Sequence, residues 1–296
     1  MPPAAGKPSF GRIALVGKLG SPEIAASLRE LIAFLGKRGC EIFLEKETAA
    51  VIGERGLDYA AIGASADLAV VIGGDGTLLA AARNLVRHRV PVVGVNLGRV
   101  GFMTDIGHRD MQAGIAAILE GKYTIEDRAV LDAEIIRGRE SVLRTLALNE
   151  AVVGKGTQGR LIEFDLSLDG EFVYSLRADG VIVATPTGST AYALSAQGPI
   201  LHPAVPALAL VPLAPHTLSA RPVSVSDRSV IEISLKHALD ARAHFDGLAL
   251  ADLQEGDRLV VKRSADVVRF VHPPGYHYFA TLREKLGWSE VVTKQE

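Results

Sequence analysis

The strongest pattern in the chain is an apolar run, Leu68 to Ile72, that stops at Gly73-Gly74-Asp75-Gly76-Thr77. Leu78, Leu79, Ala82, Leu85 and Val86 then follow at helical spacing, and a second apolar run spans Pro91 to Val95. The stretch predicts strand, tight glycine turn, helix and strand, a βαβ unit. Upstream, Gly11 to Gly17 predicts a first strand. Ser21-Pro22 predicts an N-cap with proline at the first helical position. Ile24, Leu28, Leu31, Ile32 and Leu35 form one helix face that Gly39 can end, and Glu41 to Leu44 predicts the next strand. Residues 45–66 predict a short helix and loop. Asn96-Leu97-Gly98-Arg99-Val100-Gly101-Phe102 is a second glycine-containing loop on the same sheet edge, and a helix from about Asp110 to Glu120 ends at Gly121. Alternating strands and helices imply a parallel sheet with helices on its faces.

After about Glu126 the period changes to two. Leu131 to Ile136 alternates, as do Ile162, Phe164, Leu166 and Leu168 against Glu163, Asp165, Ser167 and Asp169. Asp169-Gly170 predicts a hairpin turn, with Glu171 to Leu176 returning. Val223 with Val225, Val230 to Leu235, Arg242 to Phe245 and Arg258 to Lys262 are further short runs. This half predicts antiparallel β structure in a sandwich or layered sheet. One island interrupts it: Val181 to Ala184 as a buried strand, a polar turn, and a helix from Ser189 to about Ala196. Tyr276 to Trp288 predicts a helix docking on the first domain, and the first nine residues a loose arm.

Composition narrows the function classes. The chain has 296 residues and 48% hydrophobic content, enough for one large or two ordinary domains. A net charge of −2 leaves no electrostatic footprint for nucleic acid or an anionic membrane. The single cysteine, Cys40, excludes an internal disulfide, fits a reducing cytosol and suits a small buried position. No apolar run approaches membrane-spanning length, and Met1 to Phe10 lacks a signal-peptide pattern, so a cytoplasmic location is expected.

The glycine turn suits phosphate, because glycine allows close backbone approach and positive φ, and a helix start offers free N–H groups. Asp75 is the odd member, since a carboxylate repels phosphate. It fits if it binds a hydroxyl or holds a metal, or serves as a plain turn residue. Phe102 could stack on a base or pack in the core. Asn149-Glu150 lies inside an apolar run and must be hydrogen-bonded, in a site, or on an edge facing water. Thr185-Pro186-Thr187-Gly188-Ser189-Thr190 packs four hydroxyls where one would cap a helix, which favours ligand contact. Gly154-Lys155-Gly156-Thr157-Gln158-Gly159 matches a dinucleotide fingerprint by spelling, but a strand-like run follows it instead of a helix. Asp246-Gly247 is first a hairpin turn signal. His216 and Asp227-Arg228 suit structural roles. There is no P-loop, metal-ligand spacing or serine nucleophile elbow.

Taken together, Gly73 to Thr77, Asn149-Glu150, Asp179-Gly180, Thr185 to Tyr192 and Pro215 to Pro222 occur in the order found in NAD kinases. The chain resembles that family, its bacterial members in particular, from about residue 11 to Trp288. The resemblance implies an α/β N-terminal domain with a Rossmann-like parallel sheet over 1–126, a β-sandwich domain over 127–271, and a tail over 272–296 packing back on the first. It implies phosphorylation of the 2′-hydroxyl of NAD's adenosine ribose by ATP to give NADP. Asp75 would accept the hydroxyl proton, with Mg²⁺ carried by ATP. Gly76 and Phe102 would lie near NAD, and Asn149, Glu150, Asp179, Thr187, Thr190, Ala191, Tyr192 and Ser195 would bind it. Arg160 and Arg177 would supply positive charge, and Asp246 a nucleotide contact. A homodimer or homotetramer is implied, with neither nucleic acid nor membrane as partner. Two positions depart from the family pattern: Gln197 stands where many members have glycine, and Leu248 where a polar residue is usual. TPTGSTAY speaks against a lipid or sphingoid kinase, and intact Asp75 against a non-catalytic dinucleotide-binding regulator. The failed fingerprint speaks against an NAD-dependent oxidoreductase.

Overall fold

The computed structural model describes residues 10–18, 22–98, 101–157, 160–247 and 249–288. Expectations at residues 1–9, Ser21, Arg99, Val100, Gln158, Gly159 and Leu248 lie outside that range. The chain divides into two compact units, Met1–Asp127 with Val268–Glu296, and Arg128–Val267.

In the first unit β1 (Arg12–Gly17), α1 (Pro22–Lys37) and β2 (Glu41–Leu44) follow the expected order. The predicted face of α1 is the buried one: Ile24, Leu28, Leu31 and Leu35 are fully enclosed. Gly39 ends the helix with φ +74°. The ambiguous stretch forms two short helices, α2 (Lys46–Val51) and α3 (Tyr59–Ser65), each capped by a carboxylate, Glu45 and Asp58. Then come β3 (Leu68–Ile72), α4 (Asp75–Leu85), β4 (Val92–Asn96), the two-residue β5 (Ile106–Gly107) and α5 (Met111–Leu119). β2, β1, β3 and β4 lie side by side and parallel, and β3 and β4 are buried along their whole length. Parallel strands covered on both faces read as continuous apolar runs, which is why the glycine turn stands out at the C-terminal end of β3.

The second unit opens with β6 (Thr124–Arg137), which begins in the first, and continues through β7 (Glu140–Ala147), β8 (Glu150–Lys155), β9 (Ile162–Leu168), β10 (Glu171–Ala178) and β11 (Gly180–Ala184). Asp169 and Gly170 turn the β9–β10 hairpin with φ +52° and +84°, the two positive values a two-residue turn demands. After the polar turn and a short helix, α6 (Tyr192–Ser195), come β12 (Ala207–Leu213), β13 (Val223–Ser226), β14 (Ile231–His237), β15 (Ala241–Phe245), β16 (Ala249–Leu253) and β17 (Arg258–His272).

One antiparallel sheet runs β13-β12-β11-β8-β15-β16 and another carries β10-β9-β14-β17, with β6 and β7 paired. The core of this unit takes Phe164, Ile233 and Val261 from the second sheet and Val153, Val181 and Phe245 from the first. The opposite face of the six-stranded sheet is also covered, since Val152, Ile182 and Val211 pack with Ala193 and Leu201. Two apolar faces explain why Val181 to Ala184 shows no alternation.

The predicted helix from Ser189 to Ala196 is corrected. Gly188–Thr190 make a 3₁₀ turn, Ala191 breaks it with φ −100° and ψ −126°, and α6 adds a single turn. The reason is local: the Ser189 hydroxyl bonds Pro186 O at 2.6 Å and receives Leu201 N–H at 2.9 Å, satisfying groups a helix would otherwise align. β17 also runs well past the predicted Lys262. Its end pairs with β4 through Phe270 and Val92, within the first unit, and α7 (Tyr278–Leu286) follows with Leu282 buried.

Candidate functional site

In the first unit Asp75 is the first residue of α4, directly after the extended Gly74. Its Oδ2 accepts the Phe102 N–H at 2.8 Å. Its Oδ1 accepts the Met103 N–H at 3.2 Å and faces the Thr104 hydroxyl at 3.4 Å. Asn96 and Thr104 shape the loop that brings these donors. Asn96 Oδ1 accepts Gly98 N–H at 2.8 Å, Asn96 Nδ2 donates to Thr104 Oγ1 at 3.0 Å, and Gly101 N–H reaches the same oxygen at 2.8 Å. The two glycine-containing loops are therefore joined through Asp75, as one edge of the sheet allows.

The glycines work by space and not by handedness. None of Gly73, Gly74 and Gly76 has positive φ, contrary to one use foreseen for them. A Cβ at Gly73 would meet Thr77 Oγ1 at 2.6 Å, whereas Cβ atoms at Gly74 and Gly76 would meet nothing within 4 Å. Gly73, Gly74 and Asp75 line a cavity of about 430 Å³ with Asn96, Gly98 and Lys18. A larger cavity of about 650 Å³ lies beside α1 and β2, but its wall is apolar apart from Arg29, Glu54 and Arg55 and holds none of the motif residues.

In the second unit Glu150 begins β8, with Asn149 directly before it, and β8 lies between β11 and β15, so the edge-strand alternative is excluded. Both side chains are buried, at 8% and 7% exposure. Among the described residues Asn149 Oδ1 and Glu150 Oε2 have no hydrogen-bond partner, an arrangement that costs about 1–3 kcal/mol per group unless a ligand or water answers it. Burial, with the negative charge of Asp246 adding to it, pushes the Glu150 carboxyl up to about 7.

Asp246, expected among the nucleotide contacts, holds this pair from below. Its carboxylate accepts the N–H groups of Leu148, Asn149 and Glu150 at 2.8, 2.7 and 3.2 Å. The four hydroxyls of the polar turn are also largely occupied. Thr185 donates to Leu148 O at 2.6 Å and receives Gly188 N–H, Ser189 is tied as above, and Thr190 bonds Thr187 O at 3.1 Å. Thr187 receives Arg128 at 3.4 Å. They build the turn against Asn149, where a Cβ on Gly188 would lie 2.0 Å from Asn149 O.

A cavity of about 610 Å³ brings Glu150, Asp179, Tyr192 and Ser195 together. Thr187, Thr190, Ala191, Arg160 and Arg177 do not line it, and both arginines are exposed. Its other lining residues include Lys155 and His244. Lys155 pairs with Asp179 at 2.7 Å, and His244 faces the cavity, its imidazole held below the ordinary range by burial and by Arg242. The alternation of Ala241, Ala243 and Phe245 against Arg242 and His244 was the available signal for His244. Lys155 was hidden inside the spurious fingerprint, whose Gly156 instead packs on Asp240, where a Cβ would come within 2.0 Å of the carboxylate.

Residues 13–123 match the ATP-NAD kinase N-terminal domain and 148–273 the ATP-NAD kinase C-terminal domain. An NAD kinase from Aromatoleum aromaticum is 58% identical over 285 residues, 95% of each chain. A yeast NADH kinase complexed with NADH superposes with a TM-score of 0.90 at 26% identity, covering 98% of this chain and 91% of that one. An NAD kinase from Archaeoglobus fulgidus in complex with ATP gives 0.76 at 27% identity, covering 93% and 98%. With a parallel-sheet unit carrying the GGDGT turn, a β unit carrying TPTGSTAY, and both family domains matched, the chain belongs to the NAD kinase family.

Proposed function

We propose that the chain phosphorylates the 2′-hydroxyl of the adenosine ribose of NAD with ATP, giving NADP, and that Asp75 accepts the hydroxyl proton. The observation that carries the role of Asp75 is its setting. The carboxylate is oriented by two backbone N–H groups and a hydroxyl, beside glycines that leave their surroundings open. Oδ2, with a single donor, keeps lone-pair capacity for a substrate hydroxyl. In the transfer the ribose oxygen bonds the γ-phosphorus as its proton passes to Asp75. The bond from that phosphorus to the bridging oxygen breaks, and ADP leaves. Positioning and charge neutralisation supply most of the acceleration in such transfers.

The N-terminus of α4 and the open space at Gly74 and Gly76 suit phosphate oxygens. A Mg²⁺ carried by ATP neutralises phosphate charge when bound. The ion would come with the nucleotide, and Asp75 is kept for the hydroxyl proton. The unpartnered oxygens of Asn149 and Glu150 bind polar groups of NAD. Asp179, Tyr192 and Ser195 complete that cavity, and the Thr187–Ala191 turn shapes it. Arg160 and Arg177 supply positive charge to the dinucleotide, and Phe102 offers a ring beside the Asp75 loop.

In this reading the α/β domain carries the GGDG loop, the β domain carries TPTGSTAY, and residues 272–296 return to the first. A homodimer or homotetramer in the cytoplasm belongs to the same proposal. Among the described residues no helix is long and apolar enough to cross a membrane.

The test is NADP formation from NAD, ATP and Mg²⁺ by the purified protein beside Asp75→Asn. Wild type forms NADP, and the variant binds NAD normally but turns over at least about 100-fold more slowly. No NADP from wild type overturns the reaction, and near-normal turnover of the variant overturns the role of Asp75.

A further inference from the structure

The residue that follows the Asp75 donors is itself clamped. Phe102, Met103 and Thr104 supply the hydrogen bonds to Asp75, and Asp105 comes next. The Asp105 carboxylate lies 2.5 Å from Nδ1 of His272, a residue 167 positions away at the end of β17. Nε2 of the same ring lies 3.2 Å from Glu126 Oε2. The imidazole stacks on Tyr276 at 3.8 Å and 8°, with Phe270 on the approach at 6.3 Å. The His272 and Asp105 side chains are only 3% and 9% exposed. A buried cation held against Asp105 is a rigid fixture, because the low local dielectric strengthens the contact and water has little access to either group. Burial pulls the imidazole down, but Asp105 and Glu126 outweigh it, so the ring keeps its proton above the ordinary histidine range.

We infer that His272 is a positioning residue for phosphoryl transfer: by holding Asp105 it fixes the loop whose Phe102 and Met103 N–H groups orient the Asp75 carboxylate. The loop has three anchors. Asn96 and Thr104 tie it to itself, and β5 extends it along β4. His272 adds an anchor from a distant part of the chain, at the residue between the Asp75 donors and β5. The inference rests on the reading of Asp75 as the proton acceptor. A shift of an ångström in a positioned group costs orders of magnitude in rate while leaving ground-state binding intact.

The experiment uses the full chain with two readouts: amide hydrogen exchange at Phe102 and Met103, and kcat against KM for NAD. Asp105→Ala is expected to speed exchange at both amides about tenfold or more and to lower kcat about tenfold or more, with KM within about twofold. Asp105→Asn keeps an acceptor for the imidazole N–H, and both readouts stay within about threefold of wild type. Unchanged protection at Phe102 and Met103 in folded Asp105→Ala overturns the inference, as does a loss of kcat that Asp105→Asn shares in full. Should Asp105→Ala fail to fold, His272→Gln decides: faster exchange at the two amides supports the clamp, and wild-type exchange overturns it. Because exchange does not require Asp75 to be the base, normal turnover in Asp75→Asn would refute that reading while leaving the clamp separately judged.

Discussion

The carboxylate of Asp246 accepts the backbone N–H of Asn149 at 2.7 Å across 97 positions of sequence, and it takes the N–H groups on either side as well. One side chain thereby fixes the entry to β8 and the direction in which Asn149 and Glu150 project. Asp246 itself adopts φ +54°, a conformation that aspartate and asparagine tolerate better than most residues. Asp246→Ala leaves three buried donors without their acceptor. We expect a loss of about 3–5 kcal/mol of stability, with Asp246→Asn losing clearly less. Urea unfolding of the three proteins checks this, and equal losses in both variants would place the effect in the turn and not in the carboxylate.

Glu150 predicts a pH dependence whose sign follows from burial. Its carboxyl is raised from 4.5 to about 7, so the folded state holds the proton more tightly than the unfolded chain. The contribution to stability is greatest at low pH, falls as pH rises between those values, and is level above them. Glu150→Gln mimics the protonated acid. It is expected to match wild type near the lower value and exceed it by about 3 kcal/mol at most near pH 8. Denaturant melts across that range measure the gap, and a gap that does not widen with pH would contradict the assignment.

Gly101 is closed to side chains by Asp75. A Cβ there would lie 2.0 Å from Asp75 Oδ1 and 2.4 Å from Oδ2. Gly101→Ala must push the carboxylate off its donors. Steady-state kinetics should show kcat down by about tenfold or more and the KM for NAD nearly unchanged. A variant as active as wild type would mean that the carboxylate geometry tolerates the shift.

Tyr192 is 48% exposed at the edge of the 610 Å³ cavity, so it contributes little to the core. Tyr192→Ala is expected to leave the melting temperature almost unchanged and to weaken NAD binding about five- to tenfold, the worth of one aromatic contact. Calorimetric titration with NAD tests it, and unchanged affinity would remove Tyr192 from the dinucleotide contacts.

Gln197 shows how a departure from pattern becomes intelligible in three dimensions. The position has φ +62°, just past α6, where glycine is at ease and glutamine is strained. A glycine at this position would carry no such strain. At Gly74 and Gly76 the same residue type serves a different need, open space beside a carboxylate. Spelling alone does not separate the two uses, because φ depends on how the chain leaves the turn.

Local periodicity by itself determined the alternating strands and helices up to Asp110, the change to period two after Glu126, the Asp169-Gly170 hairpin, and the singular character of GGDGT and TPTGSTAY. These features depend on neighbours within a few residues, where side-chain direction and turn chemistry act directly. Only the tertiary structure decided that the hydroxyls of Thr185 and Ser189 serve the turn, that Asp246 braces Asn149-Glu150, that Lys155 and His244 join the cavity, and that His272 reaches Asp105. Each of those contacts beyond the turn itself joins strands or loops distant in sequence, and its partner is chosen by strand order and register. No window of sequence contains that choice, because it is settled only when the sheets bury their shared cores.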